Sequence, residues 1–352
     1  MDSPTRLAPV ISESIQSENE LEEELTRPRP ALITFIKTLK SPLMVLGAGG
    51  KMGPTLAVLA RRAADVAGHT VNVIAVSRFS DPVSRRWLED RGVQTLSVDL
   101  LNRDAVARLP DTANVLYLVG LKFGTSLDPA QTWAVNTIVP AHIAERYPTA
   151  VIVALSTGNV YPLAPAVGPG SRETDSLTPL GEYANAAIAR ERLFEYFARR
   201  NANPIAILRL NYAVELRYGV LVDIARKVYA GEAVDVTMGY FNCIWQGDAN
   251  DMILRAVALA QTPPLALNLT GPDILSVREV ALHFGELMNR PAKTIGREAP
   301  TALLSDPSAA CRLLGPPPTP MEKVIRWTAD WIKRGGRILD KPTHFEARDG
   351  KF

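Results

Sequence analysis

The chain has few of the residues that would reveal a metal site or a disulfide scaffold. Its 352 residues include two cysteines and four histidines. Cys243 and Cys311 are too few and too far apart for a disulfide framework or a zinc site, and the histidines show no ligand spacing such as HExxH. We therefore expect no metal, and we expect a reducing, cytoplasmic compartment.

Long apolar runs and basic tracts are also missing. The longest apolar runs, such as residues 151–155, have the length of a strand and not of a membrane span. The acidic N-terminal region has no apolar core of the kind found in signal peptides. The net charge is +2 and the basic residues are interspersed with acids, so we expect neither nucleic acid nor a membrane as a partner.

What the sequence does contain is an alternation of short apolar strands and helical stretches. Such an alternation predicts βαβ units and an α/β fold: a Rossmann-type, doubly wound parallel sheet, followed by a smaller C-terminal α/β part that binds substrate. The predicted units are an N-terminal extension over 1–40, partly disordered, with a short helix near Glu18–Leu25; a dinucleotide-binding domain over 41–211; a mainly substrate-binding part over 212–340, with segments returning to the sheet; and a tail over 341–352.

A glycine-rich turn follows the first predicted strand. The segment Gly47-Ala-Gly-Gly50-Lys51-Met52-Gly53 separates that strand from a helix-compatible stretch. In such turns the first glycine allows a tight bend, the second admits a pyrophosphate close to the backbone, and the third lets the helix pack close to the strand. The following helix N-terminus offers N–H groups to phosphates. We therefore predict a dinucleotide site here.

The end of the second predicted strand bears on the choice of cofactor. NAD-binding folds usually place an acid there for the ribose hydroxyls, whereas this chain has Ser77-Arg78. A guanidinium suits a 2′-phosphate. The sequence therefore favours NADP(H), with NAD(H) as the other possibility, and a solvated surface arginine is the alternative interpretation of Arg78.

Further motifs resemble those of one enzyme family. They are Gly47–Gly53, Val98-Asp99-Leu100, Leu118-Val119-Gly120-Leu121-Lys122, Val135-Asn136, Leu155-Ser156-Thr157-Gly158-Asn159-Val160-Tyr161, Tyr183, Leu208–Asn211, Trp245–Asp248 and Leu275–Glu279. In this order they resemble the extended short-chain dehydrogenase/reductase family, which includes sugar-nucleotide epimerases and dehydratases. The resemblance spans roughly residues 42–335.

The resemblance implies a set of site residues. Tyr183 would exchange the proton of a substrate hydroxyl while hydride moves to or from the nicotinamide, and Thr157 would hydrogen-bond the same oxygen. The implied cofactor contacts beyond the glycine turn and Ser77-Arg78 are Asp99, Leu100, Val119, Gly120 and Asn136. The implied substrate contacts are Ser156, Asn159 and Asn211.

The chain departs from the family at the lysine four residues after the tyrosine. Ala187 stands there, whereas the family's lysine holds the nicotinamide ribose and assists the tyrosine. An unassisted tyrosine has a pKa of about 10, so about one in a thousand is ionised at pH 7. Lys122, which the resemblance places near the nicotinamide, is our candidate for electrostatic support. The alternatives are a slow site, a different base and an inactive site.

A second departure concerns the substrate. Sugar-nucleotide members usually carry an arginine seven residues before the position of Asp248, where this chain has Phe241; Arg217 is the substitute considered. We therefore expect an NAD(P)-dependent oxidoreductase or epimerase acting on a free sugar, sugar acid or lactone. The alternative function is a catalytically inactive NAD(P)-binding sensor or partner subunit.

The resemblance also implies a homodimer. Members of the family commonly dimerise through two helices, which correspond here to residues of about 131–146 and 182–200.

Overall fold

The structure is a computed structural model that describes residues 13–122 and 127–350. Residues 1–12 of the predicted extension and 351–352 of the predicted tail lie outside the described residues. The helices in the described ranges are α1 (Glu18–Leu25), α2 (Pro30–Ile36), α3 (Gly53–Ala67), α4 (Pro82–Glu89), α5 (Arg103–Ala107), α6 (Pro129–Arg146), α7 (Gly181–Asn201), α8 (Val220–Ala230), α9 (Gln246–Arg255), α10 (Val277–Met288), α11 (Ser308–Leu314) and α12 (Met321–Lys333). The strands are β1 (Leu43–Leu46), β2 (Val73–Ser77), β3 (Gln94–Ser97), β4 (Asn114–Tyr117), β5 (Val151–Thr157), β6 (Ala164–Pro165), β7 (Ile205–Leu210), β8 (Ala213–Val214), β9 (Ala233–Asp235), β10 (Tyr240–Asn242), β11 (Ile244–Trp245), β12 (Leu265–Leu269), β13 (Ile274–Ser276), β14 (Lys293–Ile295) and β15 (Thr301–Ala302).

Seven strands form one parallel sheet in the order β3-β2-β1-β4-β5-β7-β12. In β1, Leu43 and Val45 face one hydrophobic cluster, whereas Met44 and Leu46 face another on the opposite side. A strand buried on both faces is what a parallel sheet between two helical layers requires. The predicted Rossmann-type, doubly wound α/β fold is confirmed.

Two helical layers cover the sheet, and a second core lies beside it. One face packs against α2, α3 and α9, and the other against α5, α6 and α7. The second core is formed by α8, α10 and α12 with the small strands of the C-terminal part, and α1 contributes to it. No helix in the described part of the chain is both long and apolar enough to cross a membrane.

The N-terminal extension packs against both cores from residue 13 onwards. The sequence predicts a partly disordered extension over residues 1–40 with a short helix near Glu18–Leu25, and in the described residues α1 forms there with its leucines buried. Leu21 and Leu25 of α1 are fully buried in the second core, and Leu32 of α2 is fully buried against the sheet layer. Arg29, between the two helices, pairs with the buried carboxylate of Asp248 at 2.8 Å. The described extension therefore connects the two parts of the molecule.

The C-terminal segment runs back across the molecule from α12 to the start of α7. The Thr343 hydroxyl donates to Asp223 of α8 at 2.6 Å. Phe345 is buried in the second core, and the Arg348 guanidinium donates to the Thr301 carbonyl at 2.6 Å. Gly350 lies so close to Leu180 that an added Cβ would be 2.3 Å from the Leu180 carbonyl oxygen. This segment therefore joins the C-terminal part to the N-terminal end of α7.

Candidate functional site

In the glycine turn between β1 and α3, close contacts with the backbone leave no space for a side chain at Gly47 or at Gly53. Gly47 has a φ of 81°, and a Cβ on it would lie 3.1 Å from the backbone of Leu118 and Val119. A Cβ on Gly53 would lie 2.6 Å from the Cα of Ala48. The first turn of α3 carries no side-chain cap, so its N–H groups fit an anion such as a pyrophosphate. The residues present therefore fit a dinucleotide.

Arg78 lies at the carboxyl end of β2, beside this turn. Its side chain is exposed, and its carbonyl accepts a hydrogen bond from the Ser97 hydroxyl at 3.0 Å. Ser77 lies against the turn, because a Cβ on Gly49 would be 2.7 Å from the Ser77 hydroxyl oxygen. Neither residue lines the cleft described below. Both lie at the outer side of the glycine turn.

Asp99 and Leu100 lie beyond β3 and outside the cleft. Asp99 is exposed, and its carboxylate accepts a hydrogen bond from the Leu101 N–H at 3.0 Å. This bond stabilises the turn before α5, which is a structural use of an aspartate. Leu100 is buried in the sheet core. An adenine contact of this pair stays a prediction.

A cleft of about 270 Å³ opens at the carboxyl ends of the central strands. Among its lining residues are Gly47, Gly50, Lys51, Met52, Gly53, Val119, Gly120, Lys122, Ser156, Thr157, Asn159, Tyr183, Arg190, Asn211, Tyr212, Tyr218 and Thr343. The predicted glycine turn, catalytic pair and substrate contacts thus lie in one place. The described lining contains three cationic side chains and no carboxylate.

Thr157 and Tyr183 face this cleft from β5 and α7. Both side chains are mostly buried. The Thr157 hydroxyl oxygen accepts hydrogen bonds from the backbone N–H of Asn159 at 3.2 Å and from its side-chain amide at 3.0 Å. These bonds fix the orientation of Thr157 and leave its own hydrogen for donation. The geometry suits a residue that donates to a substrate oxygen.

Ser156 and Asn211 line the cleft, but their polar groups are engaged with the protein. The Ser156 hydroxyl bonds to Glu191, which pairs with Arg209 at 2.8 Å in the interior. The Asn211 amide nitrogen donates to the side-chain oxygen of Asn242 at 2.9 Å. These bonds hold β5 and β7 against neighbouring elements. A direct substrate contact by either side chain stays a prediction.

Asn136 of α6 lies behind the cleft wall. Its amide nitrogen donates to the Leu121 carbonyl at 3.2 Å and to the Thr132 carbonyl at 2.9 Å. Its side-chain oxygen accepts from the Arg190 guanidinium at 3.0 Å. Asn136 therefore supports the segment after β4 and does not line the cleft itself.

The two cleft lysines have lowered pKa values. The pKa of Lys122 falls to about 8, because burial disfavours the ammonium and Lys51 repels it. The pKa of Lys51 also falls to about 8, because it is buried and Lys341 lies nearby. Lys51 belongs to the glycine turn, yet its ammonium lies 4.5 Å from the ring centre of Tyr218, in the C-terminal part. Both lysines of the cleft are therefore mostly charged at pH 7.

Four lining residues with polar side chains escaped the sequence analysis: Arg190, Tyr212, Tyr218 and Thr343. Arg190 had a detectable signal, since it lies two helical turns after Tyr183 on the same face. The others had none, because a tyrosine or threonine in an irregular segment matches no pattern. Tyr212 also has a φ of 45°, which is costly for a bulky residue and is found mostly at functional sites.

Groups that could hold a metal are absent from the described residues. No cluster of three or more His, Cys, Asp or Glu side chains occurs there. Cys243 is buried and Cys311 is half-buried, and both are free thiols. The chemistry of the cleft therefore rests on its hydroxyl, amide and cationic groups and on whatever the glycine turn binds.

The fold is shared with solved epimerases. The UDP-glucose 4-epimerase of Thermus thermophilus in complex with NAD is 18% identical over 82% of this chain and 98% of its own, with a TM-score of 0.68. An epimerase of Methanothermobacter thermautotrophicus is 19% identical over 88% and 97%, with a TM-score of 0.71. The UDP-glucuronic acid 4-epimerase of Bacillus cereus in complex with NAD is 17% identical over 83% and 96%, with a TM-score of 0.69. At these identities the likeness defines the class of fold.

The family follows from the sequence match. The model of the NAD dependent epimerase/dehydratase family matches residues 43–238, more than half of the chain. The chain belongs to this family and is an enzyme of that type, which confirms the resemblance found in its motifs. No curated protein matches the chain.

The expectation of a substrate without a nucleotide conflicts with these neighbours, whose names include UDP-glucose and UDP-glucuronic acid epimerases. That expectation rested on a missing arginine clamp. Phe241 is indeed buried in the second core, and the Arg217 guanidinium is bonded to Glu215 at 3.0 Å. Since nucleotides can be held by other groups, the missing clamp does not exclude a nucleotide sugar.

The lowered pKa of Lys122 predicts how stability depends on pH. Below about pH 8 the Lys122 ammonium is charged in both the folded and the unfolded chain. Burial of this charge therefore lowers the free energy of unfolding by its full amount. Between about pH 8 and the ordinary value of 10.5 the unfolded chain binds more protons, so stability rises with pH. We expect Lys122→Met to raise the unfolding free energy at pH 7 by up to about 3 kcal/mol. The gain should shrink towards pH 10.

Urea unfolding of both proteins at pH 7, 8, 9 and 10 measures this difference. Lys37→Met, at the exposed C-cap of α2, is the matched control and should change little. A stability difference for Lys122→Met that is the same at every pH would contradict the assignment.

Proposed function

We propose that this protein is an NAD(P)-dependent oxidoreductase or epimerase that acts on a hydroxyl or keto carbon of a carbohydrate. The observation that supports it most is that Tyr183, Thr157 and Lys122 line one cleft with the glycine turn. Hydroxyl redox chemistry needs a proton carrier, a donor to the reacting oxygen and a bound dinucleotide at one place. The cleft offers a residue or a fitting site for each.

Each side chain has a stated task in this proposal. The bound dinucleotide supplies the two-electron redox chemistry. Tyr183 removes or returns the proton of the substrate hydroxyl, and Thr157 donates a hydrogen bond to the same oxygen. The Lys122 ammonium, charged below about pH 8, stabilises negative charge on that oxygen. Asn159 and Asn211 are the proposed polar contacts to the rest of the sugar.

The substrate class follows from the neighbours and from the cleft chemistry together. Solved relatives include complexes of MoeE5 with UDP-glucuronic acid and with UDP-glucose, each with NAD. The positive cleft suits an anionic group on the substrate, such as a uronate or a diphosphate. UDP-sugars are therefore the first compounds to test, and free sugars, sugar acids and lactones are the comparison set.

We propose NADP(H) as the preferred cofactor, with NAD(H) as the competing one. The support is Arg78, an exposed guanidinium beside the glycine turn, where the acidic residue typical of NAD-binding folds is missing. Solved relatives contain NAD, which makes the comparison of the two nucleotides the deciding measurement.

Replacing the tyrosine tests whether the site is active. Tyr183→Phe should lower turnover by about 10²- to 10⁴-fold, because the proton carrier is lost, and should leave NADH binding unchanged. The assay follows nicotinamide absorbance and sugar products by chromatography with UDP-glucose, UDP-glucuronic acid, glucose and glucuronate. Tyr196→Phe, on the exposed side of the same helix, is the control.

Two results of this assay would speak against the proposal. If wild type turns over none of the four sugars yet binds NADH, the inactive sensor or partner subunit is favoured. If turnover is detected and Tyr183→Phe retains it, another residue carries the proton.

The cofactor preference is tested by fluorescence titration with NADPH and NADH. We expect wild type to bind NADPH more tightly, and Arg78→Ala to weaken NADPH about tenfold or more with little change for NADH, because only NADPH has the 2′-phosphate. Arg86→Ala, in the last turn of nearby α4, is the control. Tighter binding of NADH by wild type would overturn the preference.

We further propose a homodimer formed through α6 and α7. These helices pack side by side and leave Ile138, Trp133 and Tyr196 exposed on their outer faces. Large exposed apolar side chains on adjacent helices are typical of a protein interface. Light scattering should give the mass of a dimer, and Ile138→Lys should shift it towards the monomer. A monomer mass for wild type would exclude this arrangement.

A further inference from the structure

Position 187, where the family has its lysine, belongs to a buried apolar cluster in this chain. Ala187 is fully buried, and it packs with Val160 and Tyr161 from the turn after β5. A lysine stem at this position would have to displace that packing. Position 187 therefore contributes neither a cation nor a lining side chain to the cleft.

A different cation lies on the same helix face. Arg190 follows Tyr183 by seven residues, which places it almost directly in line with the tyrosine and about 10 Å along the axis. It is 3% exposed, yet it lines the same cleft as Tyr183 and Thr157. Arginine carries a planar guanidinium with five N–H donors in a fixed arrangement.

The Arg190 guanidinium holds the segment that precedes Lys122. One of its terminal nitrogens donates to the Val119 carbonyl at 3.1 Å and to the Asn136 side chain at 3.0 Å. A Cβ on Gly120 would lie 2.8 Å from that nitrogen, so a side chain at position 120 would displace the guanidinium. With the bond from Asn136 to Leu121, these contacts fix residues 119–121 against α6 and α7.

The guanidinium also has a donor that the protein does not use. The Nε of Arg190 is buried and has no hydrogen-bond partner among the described residues. A buried donor without an acceptor raises the free energy of the protein, so such groups in a native structure call for an explanation. If the guanidinium rotates, this donor can bond to a ligand oxygen in the adjoining cleft, which Arg190 lines.

We propose that Arg190 is a positioning residue that takes over part of the role of the missing lysine at the nicotinamide-ribose end of the cleft. It anchors the segment from Val119 to Lys122 to the helix that carries Tyr183, and it donates to ribose oxygen atoms of the bound dinucleotide. This inference rests on the proposed function only in requiring that the cleft binds a dinucleotide. It requires no particular sugar.

The test compares two nucleotides that share the adenosine diphosphate part. NADH contains the nicotinamide ribose and ADP does not. For Arg190→Gln, which keeps an amide donor and loses the charge, we expect NADH to bind about tenfold more weakly and ADP to bind as in wild type. Arg190→Lys keeps the charge and should lose only about threefold for NADH. Arg192→Gln, exposed on the same helix, should change neither.

The outcomes separate this inference from the proposed function. An equal loss for NADH and ADP, or no loss for either, would overturn it, since a merely structural arginine does not distinguish the two nucleotides. If wild type binds neither of these nucleotides and does not bind NADPH either, it is the proposed function that fails. If Arg190→Gln does not fold, the NADH-to-ADP ratio of Arg190→Lys decides: a changed ratio supports the role and an unchanged ratio removes it.

Discussion

The contact of α3 with the turn after β1 is the constraint on which the rest of the site depends. Gly53 lies so near Ala48 that one additional carbon would overlap with the backbone. A Cβ on Gly47 would lie 3.1 Å from the backbone of Leu118 and Val119, which places the segment just after β4 beside the glycine turn. Since β4 continues into the segment with Lys122, and Lys51 lies in the turn itself, these backbone contacts set the positions of both cleft lysines.

Much of the fold was predictable, because its signals are local. The alternation of apolar strands and helices, and the glycine turn between them, gave the parallel sheet and its cleft at the carboxyl ends of the strands. The strand β12 was not predicted. Leu265–Leu269 contains no β-branched residue and follows two prolines, and its conformation is set by pairing with β7. Long-range pairing of this kind leaves little trace in a local pattern.

The position of a site residue was predictable where a sequence motif fixes the backbone. The hydrogen-bond partner of a polar side chain was less predictable, because several acceptors lie within reach. Thr157 and Tyr183 were brought together as expected, since both follow from element ends of the fold. Ser156 is predicted to contact substrate, and in the structure its hydroxyl bonds to Glu191, thirty-five residues away along the chain. Asp99 likewise bonds to its own turn. Polar side chains near a site have several possible acceptors, and a sequence does not rank them.

The cations in the cleft have opposite effects on the stability of the free protein and on its affinity for an anionic ligand. Burial lowers the pKa of Lys51 and of Lys122, which means that the folded chain loses free energy by keeping them charged. Arg190 adds a third cationic side chain to the same cleft. A site arranged in this way is stabilised by an anionic ligand, because bound negative charge removes the repulsion between the cations.

The C-terminal segment has a mechanical consequence. Two parts of a protein that are joined along one side can separate by rotating about that side. Here residues 341–350 form a second connection, from α8 through Thr301 to the first turn of α7. A rigid rotation that widens the cleft would pull on the bond between Thr343 and Asp223 and on the contact of Gly350 with Leu180. Any opening of the cleft that moves α8 away from α7 would therefore have to break these contacts.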